Sequence, residues 1–308
     1  MDTGINPTKL ENSTKLLYPL EVMLKGWKKA DPPTMKKLPV EVDVVEYLVS
    51  RAWNKGGSEK DRATADLELA AFYYLLRVGE YTSKGTRNES KQTVQFRWED
   101  VTFFKRDSHG RLKQMSRRAT DEQIMTADSC TLRLTFQKNG WKGVCINHHA
   151  NGDEMLCPVR AIGRRIIHIR SHTSDISTNL SAYFVNGCKH EVTDVNVRES
   201  LKFAATQLNY PENKGIPIER IDTHSLRIGG ANALSLAGYS DREIQKMGRW
   251  RSQTFKEYVR EQLSDFSEGM SKSMKQMFNF VNVEGGVWHD ITQTAINLPY
   301  SPPAANAA

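Results

Sequence analysis

Leu132-Arg133-Leu134-Thr135-Phe136-Gln137-Lys138-Asn139-Gly140-Trp141-Lys142-Gly143-Val144-Cys145-Ile146 is the stretch on which the fold class turns. Two arms that alternate apolar and polar residues flank an Asn-Gly pair. Asn-Gly supplies the positive φ angles of a tight turn, so the stretch reads as a β-hairpin with Lys138 at its tip and Lys142 just beyond. Short strands with the same alternation are expected at 94–98, 101–104, 131–136 and 144–147. The intervening 105–128 is polar, rich in Lys and Arg and without period, and reads as a surface insertion.

Outside this patch the period is helical. Residues 42–53 repeat apolar side chains at helix spacing, and a longer helix follows Ser58, whose hydroxyl can cap a first turn holding Glu59 and Asp61. It carries Leu67, Leu69, Phe72, Leu75 and Leu76 inward and ends near Arg77-Val78-Gly79-Glu80. Further helices are expected at 158–171, opening on Pro158, and at 193–208, 223–236 with Gly238 as its stop, 240–247 and 252–264. The expected fold is therefore mainly α with a small antiparallel β-sheet, an α+β domain. Two prolines among clustered lysines at 28–37 mark a linker. The expected division is a helix and linker at 1–40, the main domain at 41–283, and a flexible tail at 284–308.

Composition narrows the classes. Forty-three Lys and Arg against 36 Asp and Glu give a net charge of +7, and residues 281–308 hold no Lys or Arg, so the excess lies in the body of the chain. That favours a polyanionic partner. No apolar run approaches a membrane span, and no secretory leader opens the sequence, so an intracellular protein with reduced cysteines is expected. Cys145, His148, His149 and Cys157 match no zinc-ligand spacing. They read as a buried thiol beside surface histidines, and neither metal nor cofactor is expected.

The chemistry concentrates toward the carboxy end, in Thr223-His224-Ser225-Leu226-Arg227-Ile228-Gly229-Gly230, Gly248-Arg249-Trp250-Arg251-Ser252 and Phe255-Lys256-Glu257-Tyr258. His224 and Arg227 stand three apart and share a helix face, able to address one phosphate together. Arginine suits its non-bridging oxygens because the planar fork is always charged and binds bidentately. A phenol can attack a phosphodiester once such donors neutralise the developing charge, and a lysine can protonate the leaving oxygen. Each residue also has a plain structural reading: a helix stop with an ion pair at 77–80, a cap at His224, core packing for Trp250 or Tyr258.

In this order, Arg77, a hairpin lysine, His224-x-x-Arg227, Trp250 and Tyr258 resemble the signature of the tyrosine recombinases, across roughly residues 42–283. The wording of 248–260 looks closest to the Crypton and DIRS-like recombinases of eukaryotic mobile elements, which implies a nucleus when the host is eukaryotic. The resemblance implies that Tyr258 is the nucleophile, that Arg77, His224, Arg227 and Trp250 hold the scissile phosphate, and that Glu80 braces the site. Lys138, which precedes the turn, is the expected general acid, with Lys142 its alternative; Lys142, Arg249 and Arg251 are expected to contact DNA. It further implies double-stranded DNA as partner, a tetramer on synapsed DNA, and exchange of a helix at 270–283 between protomers. Trp250 stands eight residues before Tyr258, one fewer than in bacterial members, and only about forty residues precede the domain where the family carries a helical DNA clamp. A domesticated, non-catalytic DNA-binding protein and a type IB topoisomerase are the alternative readings.

Overall fold

In chain order, α1 (Tyr18–Ala30) precedes α2 (Val42–Asn54), whose Val44, Val45, Leu48, Val49 and Ala52 are all buried. The computed structural model describes residues 18–30, 36–83, 94–135 and 143–250. Ser58 opens α3 (Glu59–Tyr73) with a reciprocal cap: its hydroxyl accepts the Asp61 amide at 3.2 Å, and the Asp61 carboxylate accepts the Ser58 amide at 3.0 Å. Such a cap stabilises a helix by about 1 kcal/mol. From Ala63 to Phe72 every residue of α3 is buried. The helix is the axle of the domain, packed against α2 and against α6 (Pro158–Arg170), α7 (Asp194–Gln207) and α9 (His224–Leu236). That position accounts for two buried acids. Asp66 pairs with Arg164, whose Nε donates at 2.7 Å, and Glu68 accepts the Ser200 hydroxyl at 3.2 Å.

The remaining helices are short: α4 (Val78–Tyr81), α5 (Asp121–Met125), α8 (Tyr210–Lys214) and α10 (Asp241–Gly248). The sheet is antiparallel in the order β2-β1-β3-β4, formed by β1 (Val101–Arg106), β2 (Leu112–Gln114), β3 (Ser129–Leu134) and β4 (Val144–His149). Leu134 pairs with Val144 and Ser129 with His149, so Cys130, Leu132 and Leu134 alternate onto the buried face. The domain is thus mainly helical with a small antiparallel sheet.

Several local expectations are corrected. Segment 105–128 is not a structureless insertion: it holds β2 and α5. Thr120 and Gln123 cap α5 reciprocally, and Ile124 is buried where Gly163 of α6 lets the two elements meet. The strand expected at 94–98 reduces to one bridge, Arg97 with Asn179, because Phe96 instead donates to the Glu80 carbonyl and accepts from Leu180. A second hairpin was missed, β5 (Ala182–Val185) with β6 (Cys188–Glu191). Its turn is Asn186-Gly187, at φ 50° and 77°. Cys145 is exposed rather than buried. His148 points inward, its ring edge-on to Tyr74 at 4.7 Å and Nε2 2.6 Å from the Tyr73 carbonyl.

What places α9 is the absence of two side chains. A Cβ on Gly229 would lie 1.9 Å from the Val40 carbonyl oxygen, and one on Gly230 would lie 2.2 Å from that of Phe72. Backbone meets backbone there, which brings α9 against the carboxy end of α3.

Candidate active site

Helix α3 ends two residues before the tight turn at Leu75, which takes φ 49°. A left-handed leucine costs on the order of 1–2 kcal/mol, so surrounding contacts must enforce it. Here the Leu75 carbonyl accepts hydrogen bonds from two guanidinium groups, Nη1 of Arg227 and Nη2 of Arg249, the latter at 2.9 Å. Arg77 then caps α4. Its amide donates to Glu80 Oε2 at 2.9 Å and its Nη1 to Oε1 at 3.2 Å. The single turn Val78–Tyr81 therefore closes on the Glu80 carboxylate, which is wholly buried.

His224 and Arg227 lie on the first turn of α9. Arg227 is 2 % exposed, and its Nη2 donates to the Gly248 carbonyl. The guanidinium stacks on the Trp250 ring, 4.3 Å from its centroid, a cation–π contact. Gly248 permits this: a Cβ there would sit 1.6 Å from Cζ3 of Trp250. His224 is half-buried, and burial first, then the Arg227 charge, hold its pKa down to about 4, with Arg77 adding to the effect and Asp222 opposing it. The imidazole is therefore neutral near pH 7 and offers an N–H hydrogen bond rather than a charge. Arg77, with its side chain 25 % exposed, faces solvent more than the buried Arg227.

The structure thus brings together Arg77, Glu80, His224, Arg227 and Trp250, from segments about 150 residues apart in the chain (Leu75 to Arg227 spans 152). Lys138, Lys142, Arg251 and Tyr258 lie outside the described residues, as do the expected helices at 252–264 and 270–283. Arg249 corrects its expected place on the DNA-facing surface. It is 3 % exposed, and its Nη1 donates to both Glu80 oxygens at 3.0 and 3.1 Å. The Leu75 carbonyl and the glycine pair were also missed as parts of the site. The only hint in the sequence is an arginine directly after the glycine that ends α10, where the backbone adopts φ 60° at Arg249 itself. Two cationic forks, a neutral imidazole and an indole gathered at one half-open place can bind a phosphate and stabilise charge developing on it.

No family model matches the sequence, and no curated protein matches it. Among solved structures, the chain is similar to the XerA recombinase at 16 % identity and a TM-score of 0.45, over 80 % of this chain and 67 % of that one. It is also similar to the Tn1549 transposon integrase in complex with circular intermediate DNA at 12 % identity and a TM-score of 0.40, over 79 % and 68 %. A further form of that integrase on a second circular intermediate stands at 14 % and 0.42. These neighbours are thus a recombinase and a transposon integrase, at identities too low for residue roles to pass from one chain to another.

Proposed function

We propose that the chain is a tyrosine recombinase, of the Crypton or DIRS-like kind, that cleaves and rejoins double-stranded DNA. In this reading the Tyr258 hydroxyl attacks a scissile phosphate, losing its proton to solvent. The phosphorus–5′-oxygen bond breaks, Lys138 supplies the proton for the departing 5′ oxygen, and a 3′-phosphotyrosyl ester remains for religation. Arg77 and Arg227 neutralise the non-bridging oxygens, and His224 adds a neutral hydrogen bond. The observation that carries the reading is the convergence of Arg77, Glu80, His224, Arg227 and Trp250 on one cluster although they come from opposite ends of the domain. By the same reading the protein assembles as a tetramer on two duplexes, exchanging a carboxy-terminal helix, and works in the nucleus of a eukaryotic host.

The test is a pool of nicked suicide duplexes incubated with the full chain and resolved under denaturing conditions. A covalent DNA adduct that disappears in Tyr258→Phe is the expected result. Salt should weaken DNA binding steeply as counterions are released. A second reading, a DNA-binding protein without strand-transfer chemistry, draws support from the burial of Arg227 on two protein carbonyls. It predicts salt-dependent binding with no adduct.

A further inference from the structure

We propose, on the reading of this site as a strand-transfer centre, that Arg249 is the positioning residue that fastens its two phosphate-binding arginines to each other. Arg249 does not meet DNA: it is buried, and it acts through the groups it touches. One arm of its fork, Nη1, holds both oxygens of Glu80, the carboxylate that in turn holds the Arg77 side chain and amide. The other arm, Nη2, holds the Leu75 carbonyl, the same oxygen that accepts Arg227. Through its backbone Arg249 adjoins Gly248, whose carbonyl takes the second arm of Arg227, and Trp250, on whose ring Arg227 stacks. A single side chain thus spans the anchors of both cations.

The geometry is specific to arginine. A planar fork reaches a carboxylate and a carbonyl at once, whereas the point charge of lysine serves one of them well. The charge balance fits too. Glu80 is wholly buried, and a buried carboxylate is tolerable only when paired. Arg77 contributes one partly exposed partner, and Arg249 the buried one. Among the described residues, loss of the Arg249 arms would leave the left-handed turn at Leu75 with the Arg227 guanidinium and would remove the side chain that joins the anchor of Arg77 to that of Arg227.

The experiment compares the full-length wild type with Arg249→Met, Arg249→Lys and Glu80→Gln, with circular dichroism and thermal melting as checks of folding. Two readouts are taken. The first is the rate of covalent adduct formation on a nicked suicide duplex as a function of DNA concentration. Arg249→Met is expected to lower the saturating rate about 100-fold, as for a displaced donor, with the half-saturating DNA concentration changed less than about threefold. Arg249→Lys should recover part of that rate, and Glu80→Gln combined with Arg249→Met should be no slower than the slower single variant, because the two act as one unit.

The second readout is the NMR titration of His224, which does not require DNA. Among the described residues, the charges acting on that ring are those of Arg227, Asp222 and Arg77. If Arg249 fastens the arginines, its loss lets them draw away and the His224 midpoint rises in Arg249→Met. An equal loss of rate and of DNA affinity would make Arg249 a direct DNA contact and overturn the proposal. So would a folded Arg249→Met variant with unchanged rate and unchanged titration. If the wild type forms no adduct, the strand-transfer reading fails separately, and the titration alone decides the role of Arg249: an unmoved midpoint refutes it. Should Arg249→Met not fold, Arg249→Lys carries both measurements, with a rate loss of about tenfold expected from one missing arm.

Discussion

Replacing Gly230 with alanine sets two well-known effects against each other. Alanine is the better helix former by about 1 kcal/mol, so in a solvated helix the change would stabilise. In α9 the added methyl would sit 2.2 Å from the Phe72 carbonyl oxygen and 2.5 Å from Cδ2 of the buried Leu75. The carbonyl is backbone and cannot swing aside, while the Leu75 methyl, though a side-chain end, is buried. Reaching ordinary contact near 3.4 Å requires α9 and α3 to part by about 1.2 Å, in an interior that is close-packed. Overpacking of this kind costs about 1–3 kcal/mol, and the backbone obstacle places it at the upper end. The net expectation is a loss of about 2 kcal/mol after the propensity gain. The same movement stretches the Arg227 contact with the Leu75 carbonyl, so on the proposed strand-transfer reading adduct formation should fall about 100-fold, as for a misplacement near 1 Å. Urea denaturation at pH 7.5 measures the first quantity, with Gly163→Ala as comparator. There the new methyl meets the side chains of Ile124 at 3.1 Å and Met125 at 3.3 Å, which can give way, and the loss should stay below about 1 kcal/mol. A Gly230→Ala protein as stable as the wild type would refute the claim that backbone contact sets the position of α9.

Other expectations follow from the buried polar groups. His224 and His168 are both held down to about 4 by burial and by neighbouring arginines, Arg227 and Arg165 first. Between about pH 6.5 and pH 4 the unfolded chain binds protons that the folded one refuses. Stability is therefore complete above pH 6.5 and falls toward pH 4, by up to about 3 kcal/mol for His224 and by less for the better-screened His168, which urea titrations of His168→Gln and His224→Gln against wild type will resolve. Glu68 is the opposite case: burial pushes its carboxyl well above the usual range, and Oε1 has no hydrogen-bond partner among the described residues. Glu68→Gln should gain about 1–2 kcal/mol at pH 7.5, a gain that shrinks as the pH falls toward 4.5 and the wild-type carboxyl no longer loses stability by keeping its proton. Gly248→Ala should push the Trp250 ring off Arg227. Trp250→Ala should then cost markedly less stability in that background than in the wild type, a double-mutant cycle coupled by about 1 kcal/mol.

Helices α2, α3, α6, α7, α9 and α10 were legible because each rests on local signals. Ser58 with Asp61 and Ser240 with Glu243 announce their caps, and the apolar spacing of 42–53 and 158–171 survives in α2 and α6 almost residue for residue. The β-structure was half legible. Asn-Gly at 139–140 suggested one hairpin, while the same dipeptide at 186–187 passed unread because its arms, Ala182–Val185 and Cys188–Glu191, are only four residues each and mostly polar on one side. Segment 105–128 hid α5 for a related reason, since five helical residues anchored by Ile124 are too few to show a period. Of the site, residue types and order could be read along the chain, but partners could not. That Arg249 turns inward onto Glu80 depends on a contact spanning 169 residues and on an unusual backbone angle, neither of which leaves a trace in local spacing.

The fastening of residues 75–80 to residues 227–249 also sets a schedule. On the ribosome the amino-terminal partner emerges early, with an acidic side chain destined for burial and a carbonyl awaiting two donors, while its counterpart is still some 150 codons from being translated. Until then the Glu80 carboxylate and the Leu75 carbonyl lack their Arg227 and Arg249 donors, so in a growing chain this network closes only after residue 249 has been made.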